Sequence, residues 1–146
     1  MMGKLGFDLP IHDLSSSDLA FCQEVIKNYN GVKDVIWHGD QYRLQSPWTH
    51  DVASLLYINP EKTHGVAFNY LVNSRYGAGS HTPIRWKGLD SMRNYRIREI
   101  NLYPGTETVL KGTQVFSGEF LMTVGYNPMV DASRSSVILE AEAEEK

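Results

Sequence analysis

The stretch "HGVAFNYLVN", residues 64–73, sets Val66, Phe68, Tyr70 and Val72 two apart, so an extended backbone turns all four to one side. That period is a strand's. Segments of the same β-branched and aromatic texture lie on both sides of it, divided by Gly, Pro, Asn and Ser at the intervals of an all-β region. Upstream they are "GDQYRLQSP" (39–47) and "DVASLLYINP" (51–60). Downstream they are "TPIRWKGL" (82–89) and "NYRIREINLYPG" (94–105), where Tyr95, Ile97 and Glu99 oppose Arg96, Arg98 and Ile100. "SSVILEAEAE" (135–144) reads as a last strand that fades into an acidic tail, "SRYGAGSH" (74–81) as a turn or loop, and "FSGEFLMTVGY" (116–126) as a short helix or a buried strand.

Before Gly39 the period changes. In "IHDLSSSDLAFCQEVIKNYNGVKDVIWHG" (11–39), Ser15 and Asp18 have the spacing of a capping box, which predicts a helix from about Ser16 to about Ile36. Leu19, Cys22, Ile26 and Tyr29 mark its apolar stripe, and Gly31 costs it roughly 1 kcal/mol against Ala. The expected fold is therefore mainly β, an antiparallel β-sandwich of residues 37–146 preceded by one α-helix within residues 1–36.

Composition narrows the function classes. A chain of 146 residues suits one core, with 42% hydrophobic and 21% charged residues and a formal charge of -3. The mixed charges form no basic stripe, so no nucleic acid and no anionic membrane surface is expected as a partner. The single Cys22 can close no internal disulfide, and no apolar run approaches the ~20 residues that span a bilayer. A soluble chain of undetermined compartment is the expectation.

Four pieces in order carry a family resemblance. "GKLGFDLPIHDLS" (3–15), "VIWHGDQYRLQSP" (35–47), "WKGLDSMRNYRIREI" (86–100) and "FSGEFLMTVGY" together resemble the C-terminal region of the α-galactosidases of glycoside hydrolase family 36, the melibiase type. The first looks like the last strand of a (β/α)8 barrel and the loop into its helix, the second like the exit into a C-terminal domain, and the others like that domain's later strands. The resemblance implies that residues 1–36 are the remnant of the barrel's last βα unit and that 37–146 are the following sandwich. It also implies a larger parent enzyme that releases terminal α-galactosyl residues from oligosaccharides with retention, a chemistry that needs two carboxylates about 5 Å apart. The family carries them as aspartates on earlier barrel strands, hence before Met1. No catalytic, substrate-binding, metal or cofactor residue is carried over, no cofactor is expected, and the chain alone is expected to be inactive. The implied partner is the rest of the parent, through which alone an α-galactoside would be met; homo-oligomer contacts are a further option.

Individual residues invite other readings. Asp8, Asp40, Asp90 and Glu99 are the carboxylates open to acid/base work, but no spacing pairs them; Asp8 and Asp90 read better as turn residues. His12, His38, His50, His64 and His81 include no i, i+4 pair on a helix, so no zinc site is read. Cys22 reads as core, and "RYGAGS" (75–80) as a loop without a phosphate-binding helix behind it. Trp37 and Trp86 read as packing residues, and Tyr76 and Tyr103 as open to either role. Trp48, beside Pro47, is the best candidate for an exposed ring on which a sugar could stack. Arg43, Arg96 and Arg98 read as sheet salt bridges. Two rival functions follow, a carbohydrate-binding module and an assembly module in which the helix stripe pairs with a second copy or folds back on the sandwich.

Overall fold

The computed structural model describes residues 1–73, 82–110 and 114–144; Tyr76, His81 and the stretch 75–80 lie outside them. After a short 3-10 turn at Ile11–Asp13, helix α1 runs Ser16–His38 and ends two residues beyond the expected point. The Ser15 side chain accepts from the Asp18 N–H while Asp18 accepts from the Ser15 N–H, the reciprocal cap that the sequence announced. Gly31 is exposed with open space where a Cβ would stand. Gly31→Ala is accordingly expected to raise stability by about 0.5–1 kcal/mol, read as a higher urea midpoint with an unchanged slope.

The strands are β1 (Asp40–Gln45), β2 (Val52–Ile58), β3 (His64–Leu71), β4 (Asn94–Ile100), β5 (Val115–Ser117) and β6 (Ser136–Ala143), with helix α2 (Gly118–Thr123) directly after β5. They form one antiparallel sheet in the order β1-β2-β3-β6-β4-β5. The mainly antiparallel β architecture with one N-terminal helix is as expected. The second layer differs in detail, because among the described residues no second sheet faces the first.

Both faces of the sheet are covered, which is why β3 is apolar on both sides. On one face Val32, Val35 and Ile36 of α1 pack on Tyr57, Val66, Phe68 and Ile100. On the other, Leu56, Ala67, Ile97, Val137 and Leu139 meet Ile84, Trp86, Leu89, Leu121, Tyr126 and Val130, which come from non-strand segments and α2. The stretch "TPIRWKGL" is thus not a strand. Its Ile84 makes one antiparallel bridge to Tyr126, Trp86 N–H donates to the Leu121 carbonyl, and Gly88 takes φ +76° against the Tyr42 ring, which ends any ladder.

The helix stripe also differs from its expected form. Val25, Val32, Val35 and Ile36 are the buried residues of α1, whereas Leu19 and Ile26 are exposed and Cys22 and Tyr29 half-buried. The helix docks through its C-terminal half, and the Leu19/Ile26 face is uncovered. It does not fold back on the sheet. No helix among the described residues is long and apolar enough to cross a membrane.

Candidate functional site

Three polar arrangements compete for a functional reading. The first lies on the α1 face of the sheet, beyond the reach of the helix, where β3, β6 and β4 bring His64, Glu140, Glu142, Arg96 and Arg98 to one side through the registers His64↔Glu142, Arg98↔Glu140 and Arg96↔Glu142. Glu140 is buried, with Oε1 accepting from His64 Nε2 at 2.8 Å and Oε2 lying 2.6 Å from Arg98 Nη2. Burial pushes this carboxyl up, but the His64 hydrogen bond and the Arg98 charge outweigh it and hold it below the ordinary 4.5. Ligand atoms of His64, Glu140 and Glu142 lie within 4.8 Å of one another, a spacing that would suit either a cation or a carboxylate pair. The Arg98 guanidinium, 2.6 Å from Glu140 Oε2 and 4.0 Å from Glu142 Oε1, already supplies the positive charge that a cation would bring. With His64 on its other oxygen, Glu140 is held as an anion and is not suited to act as a general acid.

The cluster is an electrostatic lock between three strands, and its pH dependence has a definite sign. A carboxyl depressed in the folded state supplies stability that is complete above its unfolded value and is lost as pH falls through the folded one. Thermal stability is therefore expected to decline below about pH 4.5, and Glu140→Gln to remove that part of the decline. The substitution is expected to cost about 1–3 kcal/mol at neutral pH, since Arg98 is left without its anion but is exposed enough to take up water. Urea titrations of both proteins at pH 7 and pH 3.5 check the two expectations together.

The second arrangement is a cleft of about 720 Å³ beside the N-terminal half of α1, lined among others by Phe21, Tyr70, Glu99, Tyr103 and Arg134. Glu99, a candidate acid/base, is fully engaged: Arg134 Nη2 donates to Oε1 at 2.5 Å and Thr108 Oγ1 to Oε2 at 2.7 Å. Arg134 also donates to the Met129 carbonyl at 3.1 Å, so the pair staples two loops to the end of β4. Tyr103 stacks obliquely on Phe21 with centroids 5.3 Å apart and donates from its hydroxyl to Asp18, which ties a loop to the helix. These contacts are structural.

The third is a groove of about 350 Å³ along β1, lined by Gln41, Arg43, Gln45, Trp48, Leu55 and Tyr70 among others. Trp48 is 92% exposed, as expected of the ring beside Pro47. Among the described residues neither Arg43 nor Gln45 makes a side-chain hydrogen bond or ion pair, so the expected salt bridge of Arg43 is not formed. Arg96 does pair with Glu144, at 2.6 Å.

The other candidates do not converge. Asp8 and Asp40 are exposed, and Asp90 caps its turn by accepting from Met92 N–H at 3.0 Å and Arg93 Nε at 3.2 Å. That backbone hydrogen bond, with Arg93, holds the Asp90 carboxyl below its ordinary value. His12 lies beside Asp13, His38 is exposed, and His50 shares a hydrogen bond with Thr49. Trp86 is buried, but Trp37 is half-exposed with its indole N–H donating to the Tyr29 hydroxyl. The sequence does not single out Glu140 within "SSVILEAEAE", a strand that fades into an acidic tail; the alternation Glu140/Glu142 at strand period, matched by Arg96/Arg98, is the available signal.

Comparison with known proteins agrees with this picture. Residues 52–140 match the glycosyl hydrolase family 36 C-terminal domain. The chain is 28% identical over 129 residues to alpha-galactosidase 1 of Pediococcus pentosaceus, covering 88% of this chain and 16% of that protein. It is 26% identical over 112 residues to alpha-galactosidase AgaA of Geobacillus stearothermophilus, covering 77% of this chain and 15% of that one. The fold is that of solved relatives: a crystal structure of GH36 alpha-galactosidase AgaA from G. stearothermophilus superposes with TM-score 0.77 at 23% identity, over 95% of this chain and 18% of that one. An alpha-galactosidase from Lactobacillus brevis gives 0.76 at 20% identity, over 99% and 19%. A six-stranded antiparallel sheet capped by one N-terminal helix and a match spanning β2 to the middle of β6 lead to one conclusion: the chain belongs to the glycoside hydrolase family 36 C-terminal domain family.

Proposed function

We propose that this chain is the non-catalytic C-terminal part of an α-galactosidase that releases terminal α-galactosyl residues from oligosaccharides with retention, and that it serves as scaffold packed on a catalytic barrel. The observation that carries the reading is the domain match over 52–140 in a chain that spans only 16% and 15% of two relatives bearing the α-galactosidase name. The acid/base pair of such an enzyme then lies in sequence this chain does not contain. The carboxylates buried here, Glu99 and Glu140, are both committed to arginines.

On this reading residues 1–36 are the terminal strand and helix of the barrel, and 37–146 the accessory domain. The uncovered outer face of α1, with Leu19, Ile26 and Trp37 exposed, supports that division. Apolar helix surface of this kind is ordinarily buried in the protein it evolved in. The barrel neighbours of a last helix are the natural cover.

The test adds this chain in trans to a family 36 α-galactosidase shortened by its own corresponding C-terminal region. Recovery of the shortened enzyme's thermal stability, lost when Leu19 and Ile26 are both changed to Asp, is the expected result. An unchanged melting curve with no complex by sedimentation would refute the scaffold role.

A further inference from the structure

The groove along β1 lies on the α1 face of the sheet and counts Met2 among its lining residues. It combines a nearly fully exposed indole, an apolar floor of Leu55 and Tyr70, and the two polar heads Arg43 and Gln45, which have no partner among the described residues. We propose that it is a binding subsite for a neutral saccharide, with Trp48 as the stacking platform and Arg43 and Gln45 as the hydrogen-bonding heads.

Shape and rigidity come first. The register of β1 on β2 shifts between Arg43 and Gln45, a bulge that bends this edge strand next to the turn carrying Trp48. The turn is held from within: Thr49 and His50 N–H both donate to the Ser46 carbonyl, at 3.2 and 3.1 Å, and Trp48 N–H donates to Ser46 Oγ at 3.3 Å. With Pro47 restricting the preceding backbone, the ring is presented on a fixed base and little ordering remains for a ligand to impose. The volume of about 350 Å³ suits one or two sugar rings.

Chemistry then selects the occupant. A pyranose has one face of C–H bonds, which stacks on an indole, and a rim of hydroxyls that both donate and accept. Arg43 offers donors only, Gln45 both roles, and the Gln41 carbonyl oxygen is left over while its amide donates to the Tyr57 hydroxyl at 2.8 Å. A protein segment fits less well. Among the described residues no carboxylate lines the groove, so an apolar cover would bury the Arg43 guanidinium unpaired. The polar row Gln41, Arg43 and Gln45 likewise opposes apolar pairing with a second copy.

The groove is argued from its own residues; only the choice of galactosides as probes rests on the function proposed above. The 146-residue chain is titrated with methyl α-galactoside and raffinose up to ~50 mM, read by tryptophan fluorescence and saturation-transfer NMR. Saturable binding in the millimolar range is expected, weakened about tenfold or more by Trp48→Ala and about threefold or more by Arg43→Ala. Both side chains are exposed, so the urea midpoints of the variants should stay that of the parent, which separates lost binding from lost folding. Absence of saturation, or binding indifferent to both substitutions, overturns the proposal. So does a concentration-dependent dimer that shields Trp48. Failure here would leave the trans-complementation result unaffected, because that experiment reads the outer face of α1.

Discussion

Tyr95→Ala is expected to lower the free energy of unfolding by about 5 kcal/mol, the largest single effect in the molecule. Tyr95 is fully buried near the start of β4, and truncating a large aromatic in a packed core costs about 3–5 kcal/mol by itself. Its hydroxyl adds to this. It accepts from Asp90 N–H at 2.9 Å and donates to the Lys62 carbonyl at 2.7 Å, which links the turn before β4 to the β2–β3 turn. Burial raises the phenol above its ordinary value of 10.0, so it stays protonated and donating throughout the stable range of pH. A domain of ordinary stability has about 5–15 kcal/mol in all, so the alanine variant sits at the edge of folding. Tyr95→Phe keeps the ring and removes only the two hydrogen bonds, with an expected loss of about 1–3 kcal/mol in urea denaturation. A phenylalanine variant as stable as the parent would show that the linkage holds nothing.

Gly118→Ala is the second large effect, and it acts on the same turn from the other side. Gly118 begins α2 with its N–H donating to the Arg93 carbonyl at 2.8 Å, so the helix start lies directly against the 90–93 turn. A Cβ at position 118 would overlap the Asp90 carbonyl oxygen and stand 3.1 Å from Tyr95 Cε2. Backbone cannot swing aside as a flexible side chain can. We expect a loss of about 3 kcal/mol or more, with α2 and the Trp86 layer displaced and the near-ultraviolet circular dichroism of Trp86 weakened. The contrast with Gly31→Ala, expected to stabilise, makes the pair a test of the close approach rather than of glycine content. Equal effects at the two positions would contradict it.

Much of this architecture can be read in the residues because local and global preferences agree. The capping box at Ser15 and Asp18 fixes the start of α1 without any tertiary contact, and the alternation in "HGVAFNYLVN" survives as β3. The buried face of α1 was not readable in the same way. Leu19/Cys22/Ile26/Tyr29 and Val25/Val32/Val35/Ile36 both recur at helical spacing, and only the position of the sheet decides which of them it covers. The segment at 82–89 has the composition of a strand, yet Pro83 and the left-handed Gly88 leave room for just one bridge. Its role as a covering layer depends on Tyr126 and Leu121, far along the chain. Glu140 illustrates the limit for polar sites. An acidic residue in an acidic stretch reads as solvated, and its burial follows only when His64 and Arg98 arrive from two other strands.

The scaffold role proposed above draws on the same contrast. Each buried carboxylate described here has an arginine beside it, and each is placed to hold strands or loops together. Such pairs fix a structure and leave no proton to give. The groove at Trp48 is the exception among the polar features, since its heads are unspent.

Whether this chain is the non-catalytic part of a larger α-galactosidase, as proposed, is decided by assaying the purified chain for hydrolysis of 4-nitrophenyl α-galactoside and raffinose. We predict no release of nitrophenol or galactose above the buffer rate at any pH between 4 and 8. Turnover that scales with the protein and disappears in Glu140→Gln or Glu99→Gln would show instead that one of these arginine-paired carboxylates carries the chemistry.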